Sequence, residues 1–102
     1  MNDNEIEKEI TEKGLIAARI TPTDIENKIV GEEFHLFDGT TLTACLLTLE
    51  NGFQVLGESA CASPENFDAE IGRKIARSNA VQKIWSLEGY LLKQRLFDDT
   101  KI

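Results

Sequence analysis

An acidic chain keeps three of its bases within five residues. The segment "NFDAEIGRKIARSNA" (66–80) carries Arg73, Lys74 and Arg77, and Arg95 follows downstream, in a protein of formal net charge −7. Arg73 and Arg77 stand one helical turn apart. Guanidinium forks at that spacing can take the oxygens of a phosphate or pyrophosphate in bidentate fashion. Asn79 can read a base edge or a ribose hydroxyl. Phe67 can stack a base, or it can be core. The plainer reading stays open beside this one. Glu70 lies four residues before Lys74, and such acids can satisfy the bases on a solvated face through weak surface pairs.

The other constellations are thin. His35 is the only histidine, and with Cys45 and Cys61 the only cysteines, no spaced ligand set for a metal is present. Ser59 and Cys61 have no base and orienting partner at a readable spacing. Gly57 and Gly89 fit no phosphate-loop pattern. Neither catalysis, a cofactor nor a metal is expected.

Charge is unevenly spread. Residues 66–97 hold six Lys/Arg against three Asp/Glu, while the rest of the chain holds five against fifteen. The overall acidity argues against binding a nucleic-acid polymer, which needs a basic footprint. At 102 residues, 41% hydrophobic and 28% charged, the chain is one ordinary globular domain (1–102), with 1–14 an acidic arm or short helix. No apolar run has the length of a membrane span, and "MNDNEIEKEI" lacks the apolar stretch of a secretory signal. The expectation is a cytoplasmic protein with free thiols.

These residues must be positioned by a few elements. "ITPTDIENKIV" begins a helix: Thr21 caps it, Pro22 suits its first position, Asp24 closes a capping box, and Gly31 ends it. "EEFHLFDG" is a short strand candidate. "TLTACLLTLENGFQVLGESAC" reads as a hairpin whose Asn51-Gly52 predicts a two-residue type I′ loop. That register pairs Thr48 with Val55 and Leu46 with Gly57. It puts Cys45 and Cys61 on opposite faces and leaves apolar residues on both sides of the sheet, so a second subunit is expected on one of them. A long helix opens at Ser63-Pro64. Phe67, Ile71, Ile75, Ser78, Gln82, Trp85, Gly89, Leu92 and Leu96 form its expected seam, with Gly89 allowing close approach to the sheet. Arg73, Arg77 and Arg95 then lie opposite the seam, beside Ala80, Ile84, Leu87 and Leu91. Apolar residues on that back predict cover by the N-terminal segment or a neighbouring chain. The fold class is α+β: a small antiparallel sheet with an N-terminal helix and a long C-terminal helix packed on it.

Three blocks in order, "GTTLTACLLTLENGFQVLGESAC", "NFDAEIGRKIA" and "IWSLEGYLL", resemble a small tailed-phage protein family named after gene products of phages of enteric bacteria, along about Leu15 to Leu96. The pattern is also similar to the first Thoeris anti-defence family. The first resemblance implies a phage protein in the cytoplasm of the infected bacterium. The second implies a sponge: an oligomer holding cyclic ADP-ribose signals, and in some members cyclic oligonucleotides, in pockets between protomers without cleaving them. Under it Arg73, Arg77 and Arg95 would serve phosphate, Asn79 and Phe67 base or ribose, and Arg19 in "LIAARITP" is a further candidate. Two rivals stand beside that function. One is an acidic phage protein that inhibits a host protein by direct binding. The other is a structural oligomer with no ligand.

Overall fold

The computed structural model describes residues 2–15 and 17–100. Its elements run α1 (Asp3–Glu12), α2 (Pro22–Lys28), β1 (Ile29–Leu36), β2 (Leu42–Leu49), β3 (Gln54–Ala60), a short 3-10 turn (Pro64–Asn66) and α3 (Ala69–Asp99). The strands form one antiparallel sheet in the order β1-β2-β3, and α3 packs across β2 and β3. This is the expected α+β architecture.

The helix starts follow local chemistry. Thr21 Oγ1 accepts the N–H of Asp24 at 3.1 Å, and Asp24 Oδ2 accepts the N–H of Thr21 at 2.9 Å, a reciprocal box with Pro22 just inside it. Asn2 and Glu5 make the same device at the start of α1. α2 stops at Lys28, earlier than Gly31, because Ile29 already turns to extended backbone and enters β1. α3 starts at Ala69 rather than Ser63. Ser63 heads only the 3-10 turn and makes no side-chain cap there, whereas Asp68 Oδ1 accepts the N–H of Ile71 at 3.0 Å.

The hairpin register differs by one residue from the expected one. Thr48 pairs with Gln54, Leu47 with Val55 and Cys45 with Gly57. The loop has three residues, since Leu49 N–H donates to Phe53 O at 2.8 Å and Gly52 N–H donates to Leu49 O at 2.8 Å. Gly52 has φ 90°, while Asn51 keeps a negative φ and its side chain accepts the N–H of Phe53 at 3.0 Å. One left-handed residue is enough for this turn; type I′ would need two. Because side chains alternate, one step of register moves each β3 side chain to the other face relative to β2. Thr43, Cys45, Leu47 and Leu49 therefore share the α3 face with Val55 and Gly57. Both cysteines are free, Cys45 buried under the helix and Cys61 half-buried beyond the end of β3. They are not separated by lying on opposite faces.

α3 is turned almost half a revolution from the expected seam. Its buried residues are Gly72, Ala76, Ala80, Val81, Ile84 and Glu88, while Ile71 and Ile75 are 54% and 46% exposed. The cause is Gly57. A Cβ there would overlap Ala76 O and Ala80 N and stand 2.9 Å from Ala80 Cα, so helix and strand touch backbone to backbone. Only small residues fit on the helix at that crossing, and the branched ones face away. Gly89 has nothing within 4 Å of a Cβ position and plays no part in the approach. Ile25, Leu47 and Ile84, each 1% exposed or less, centre the core.

Candidate functional site

The sequence-derived site residues do not converge on one place. Turning α3 brings Arg77 to the flank of the packed face, where two acids take it. Its Nε donates to Glu32 Oε1 at 2.6 Å, and its Nη2 lies 3.0 Å from Glu26 Oε1. Burial alone would pull its pKa down, but the hydrogen bonds and charges of Glu26 and Glu32 together outweigh that and raise it. Arg77 is thus a strap joining α3 to α2 and β1, not a free clamp with Arg73. Arg73 is exposed and makes no ion pair among the described residues. Asn79 is spent on structure, its Nδ2 donating to Glu58 O at 2.7 Å and tying α3 to β3. Phe67 lines a separate small hollow with Thr41, Cys61 and Ile75, against the Gly72 turn of α3.

Arg19 and Arg95 do share a groove, although 76 positions apart in the chain. With Lys28 they line an open groove of about 390 Å³ between the segment before α2, the end of α2, the hairpin turn and the last third of α3. Ala18, Ile20 and Leu92 supply apolar wall, and Asn27 supplies an amide. Each base is set by its own element. Arg19 precedes the Thr21 cap, Lys28 ends α2, and Arg95 lies on the part of α3 beyond Leu92.

The groove also holds three acids, Asp24, Glu50 and Glu88, as many as its bases. Lys28 Nζ lies 2.8 Å from Glu50 Oε1 across the hairpin turn. Its pKa is raised by that hydrogen bond first, then by the charges of Glu50 and Glu88, against the opposing charge of Arg95. Asp24 is held below the usual carboxylate range, chiefly by the backbone N–H and the hydroxyl of Thr21, with Arg19 and Lys28 assisting. Arg19 Nη1 reaches Glu7 Oε2 on α1 at 2.5 Å, with both side chains about three-quarters buried. Arg95 makes no ion pair among the described residues. Glu88 is only 7% exposed.

Chemically the groove suits an anion with a polar body: guanidinium and ammonium donors for phosphate, and amide and carboxylate groups beside them. Lys28, Asn27 and Glu88 were missed from the sequence. Lys28 and Glu50 are joined through the fold over 22 positions, with no spacing to betray them. Glu88 had a signal, an acid on the same helix side as Ala80 and Ile84, readable only once that side is known to be the buried one. Among the described residues no group of three or more His, Cys, Asp or Glu is arranged to hold a metal, and no helix is long and apolar enough to cross a membrane.

Compared with known proteins, residues 20–96 match the model of the Phage protein (N4 Gp49/phage Sf6 gene 66) family. No curated protein and no solved structure matches the chain. The match takes in every element from α2 through most of α3 and leaves out α1. The chain belongs to this phage protein family.

Proposed function

We propose that this phage protein binds a cyclic nucleotide immune signal of the infected bacterium, of the cyclic ADP-ribose type or a cyclic oligonucleotide, and withholds it without cleaving it. The observation that carries the reading is the convergence of Arg19, Lys28 and Arg95 on one groove of a chain with net charge −7. A groove of about 390 Å³ has room for one nucleotide unit. Arg95 makes no ion pair among the described residues, and Arg19 can exchange the Glu7 carboxylate for a phosphate oxygen of like geometry. The seat therefore moves from the Arg73–Arg77 clamp to Arg19 and Arg95.

Withholding a signal asks for slow release, which an open groove on one chain does not supply by itself. A homo-oligomer with pockets between protomers would close it. Two surfaces favour such an assembly. The sheet face away from α3 presents Leu42, Ala44 and Leu46, half-buried, beside Leu56 at 43% exposure. The outer stripe of α3 presents Ile71 and Ile75. The working place of such a protein is the host cytoplasm.

The test is release. Protein incubated with cyclic ADP-ribose, freed of excess and then heated should return the same molecule intact. Return of a cleaved product, or of nothing from this signal and from cyclic oligonucleotides alike, would overturn the proposal.

A further inference from the structure

α1 is joined to the body of the fold chiefly by polar contacts. None of its residues is buried. Trp85 Nε1 donates to Asp3 Oδ2 at 3.0 Å, and Arg19 Nη1 donates to Glu7 Oε2 at 2.5 Å. Ile6 and Ile10 of α1 line, with Ile20, Pro22 and Trp85, a hollow of about 200 Å³. A hollow of that size forfeits much of the close packing that would anchor a helix. The helix is also a concentrated anion. Asp3–Glu12 carries five acids against one base. Its Glu7 carboxylate sits on one of the three bases that line the groove.

We infer that α1 is a detachable acidic strap: docked, it occupies Arg19 with Glu7 and keeps the groove weak for anions; lifted, it frees Arg19 for a ligand phosphate. The inference rests on the nucleotide reading above and adds its regulation. Carboxylate and phosphate offer a guanidinium the same kind of oxygen acceptors, so the Arg19 edge given to one is withheld from the other. The competition is a population shift. Apparent affinity is the intrinsic affinity scaled by the fraction of chains with Arg19 free. By linkage, a ligand that takes Arg19 must in turn favour the lifted strap. Asp3 is the discriminating position, because it lines the hollow under α1 and not the groove. It acts on the ligand only by holding α1 down. Trp85 is the sole tryptophan of the chain, and its indole N–H is bonded to the docked strap, so its emission reports docking.

The experiment is calorimetric titration of the full chain, Asp3→Ala and Glu7→Gln with cyclic ADP-ribose and cyclic di-AMP, with Trp85 emission followed in each. Both variants should bind about tenfold more tightly than wild type, as expected if the docked strap leaves roughly one chain in ten with Arg19 free. Without ligand, Asp3→Ala should already emit at longer wavelength than wild type, and saturating ligand should move wild type toward it. Tighter binding in the variants from a wild type too weak to measure supports the strap equally. If wild type binds and Asp3→Ala binds the same or more weakly, α1 is a fixed part of the fold: the strap is overturned and the nucleotide reading stands. Wild-type emission unchanged at saturation overturns it too. If neither nucleotide binds wild type or either variant, both readings fall. Should Asp3→Ala fail to fold, Glu7→Gln and the wild-type emission decide the matter.

Discussion

At Gly57 a single missing Cβ sets the face of a 31-residue helix. Backbone contact with Ala76 and Ala80 at that point leaves no room for a branched side chain, so Ile71 and Ile75 turn outward. Gly57→Ala should therefore destabilise by roughly 3 kcal/mol or more, since the atoms it meets are backbone and cannot step aside. Ile75→Ala, at 46% exposure, should cost less than about 1 kcal/mol. Urea denaturation of both variants checks the pair, and a reversed order would put Ile75 in the core. The helix wheel could not show this, because hydrophobicity favours the larger residues and says nothing about how near a glycine lets two backbones come. The Thr21–Asp24 box, by contrast, was legible because its partners lie three residues apart and need only each other. It gives a pH prediction. The folded pKa of Asp24 lies below its ordinary 3.8, so its contribution is fully present above that value and is lost as pH falls through the folded one. Asp24→Ala should melt lower than wild type near neutrality, and the gap should shrink in acid below about pH 4. A gap that stays constant down to about pH 2 would mean the carboxylate charge is not what stabilises the helix start.

Among the elements, the sheet's two hydrophobic runs and the turn between them were legible, but the register was not. Asn51-Gly52 fits a two-residue loop and the three-residue loop equally well by composition. The difference is whether Asn51 takes a positive φ or keeps its side chain on Phe53 N–H, as it does. The site was half legible. Arg19 and Arg95 could be named as cations for a phosphate, but their partners come from α2 and the hairpin turn, which only the folded chain brings together. α1 is the outlying element. It has no fully buried residue, and it is held by Arg19–Glu7 and by Trp85 Nε1 donating to Asp3 Oδ2 at 3.0 Å. Glu7 thus occupies a guanidinium that the proposed ligand needs. Glu7→Gln should tighten nucleotide binding by roughly tenfold, because a neutral amide competes less well than a carboxylate for Arg19. Unchanged or weaker binding in a calorimetric titration would show that Arg19 stays with α1 and does not serve the ligand.

Across the whole molecule, net charge and exposed apolar surface pull in different directions. A charge of −7 keeps chains apart, while the outer sheet face and the outer stripe of α3 favour pairing. The proposed assembly requires the apolar faces to win at working concentration. Light scattering should find an oligomer at micromolar protein, and Leu46→Arg, on the outer sheet face, should disperse it without unfolding the chain. A monomeric wild type would remove the shared-pocket account.

The central claim is that the groove of Arg19, Lys28 and Arg95, and not the Arg73–Arg77 pair, seats a cyclic nucleotide. Its most direct test is calorimetric titration of wild type, Arg95→Ala and Arg77→Ala with cyclic ADP-ribose and cyclic dinucleotides. Wild type should bind at least one of them. Arg95→Ala should weaken that binding by roughly ten- to a hundredfold, through the loss of a charge-assisted contact. Arg77→Ala should bind as wild type does and only melt lower, since its guanidinium is already held by Glu26 and Glu32. Absence of binding to any of these nucleotides, or loss of binding in Arg77→Ala with none in Arg95→Ala, would contradict the account.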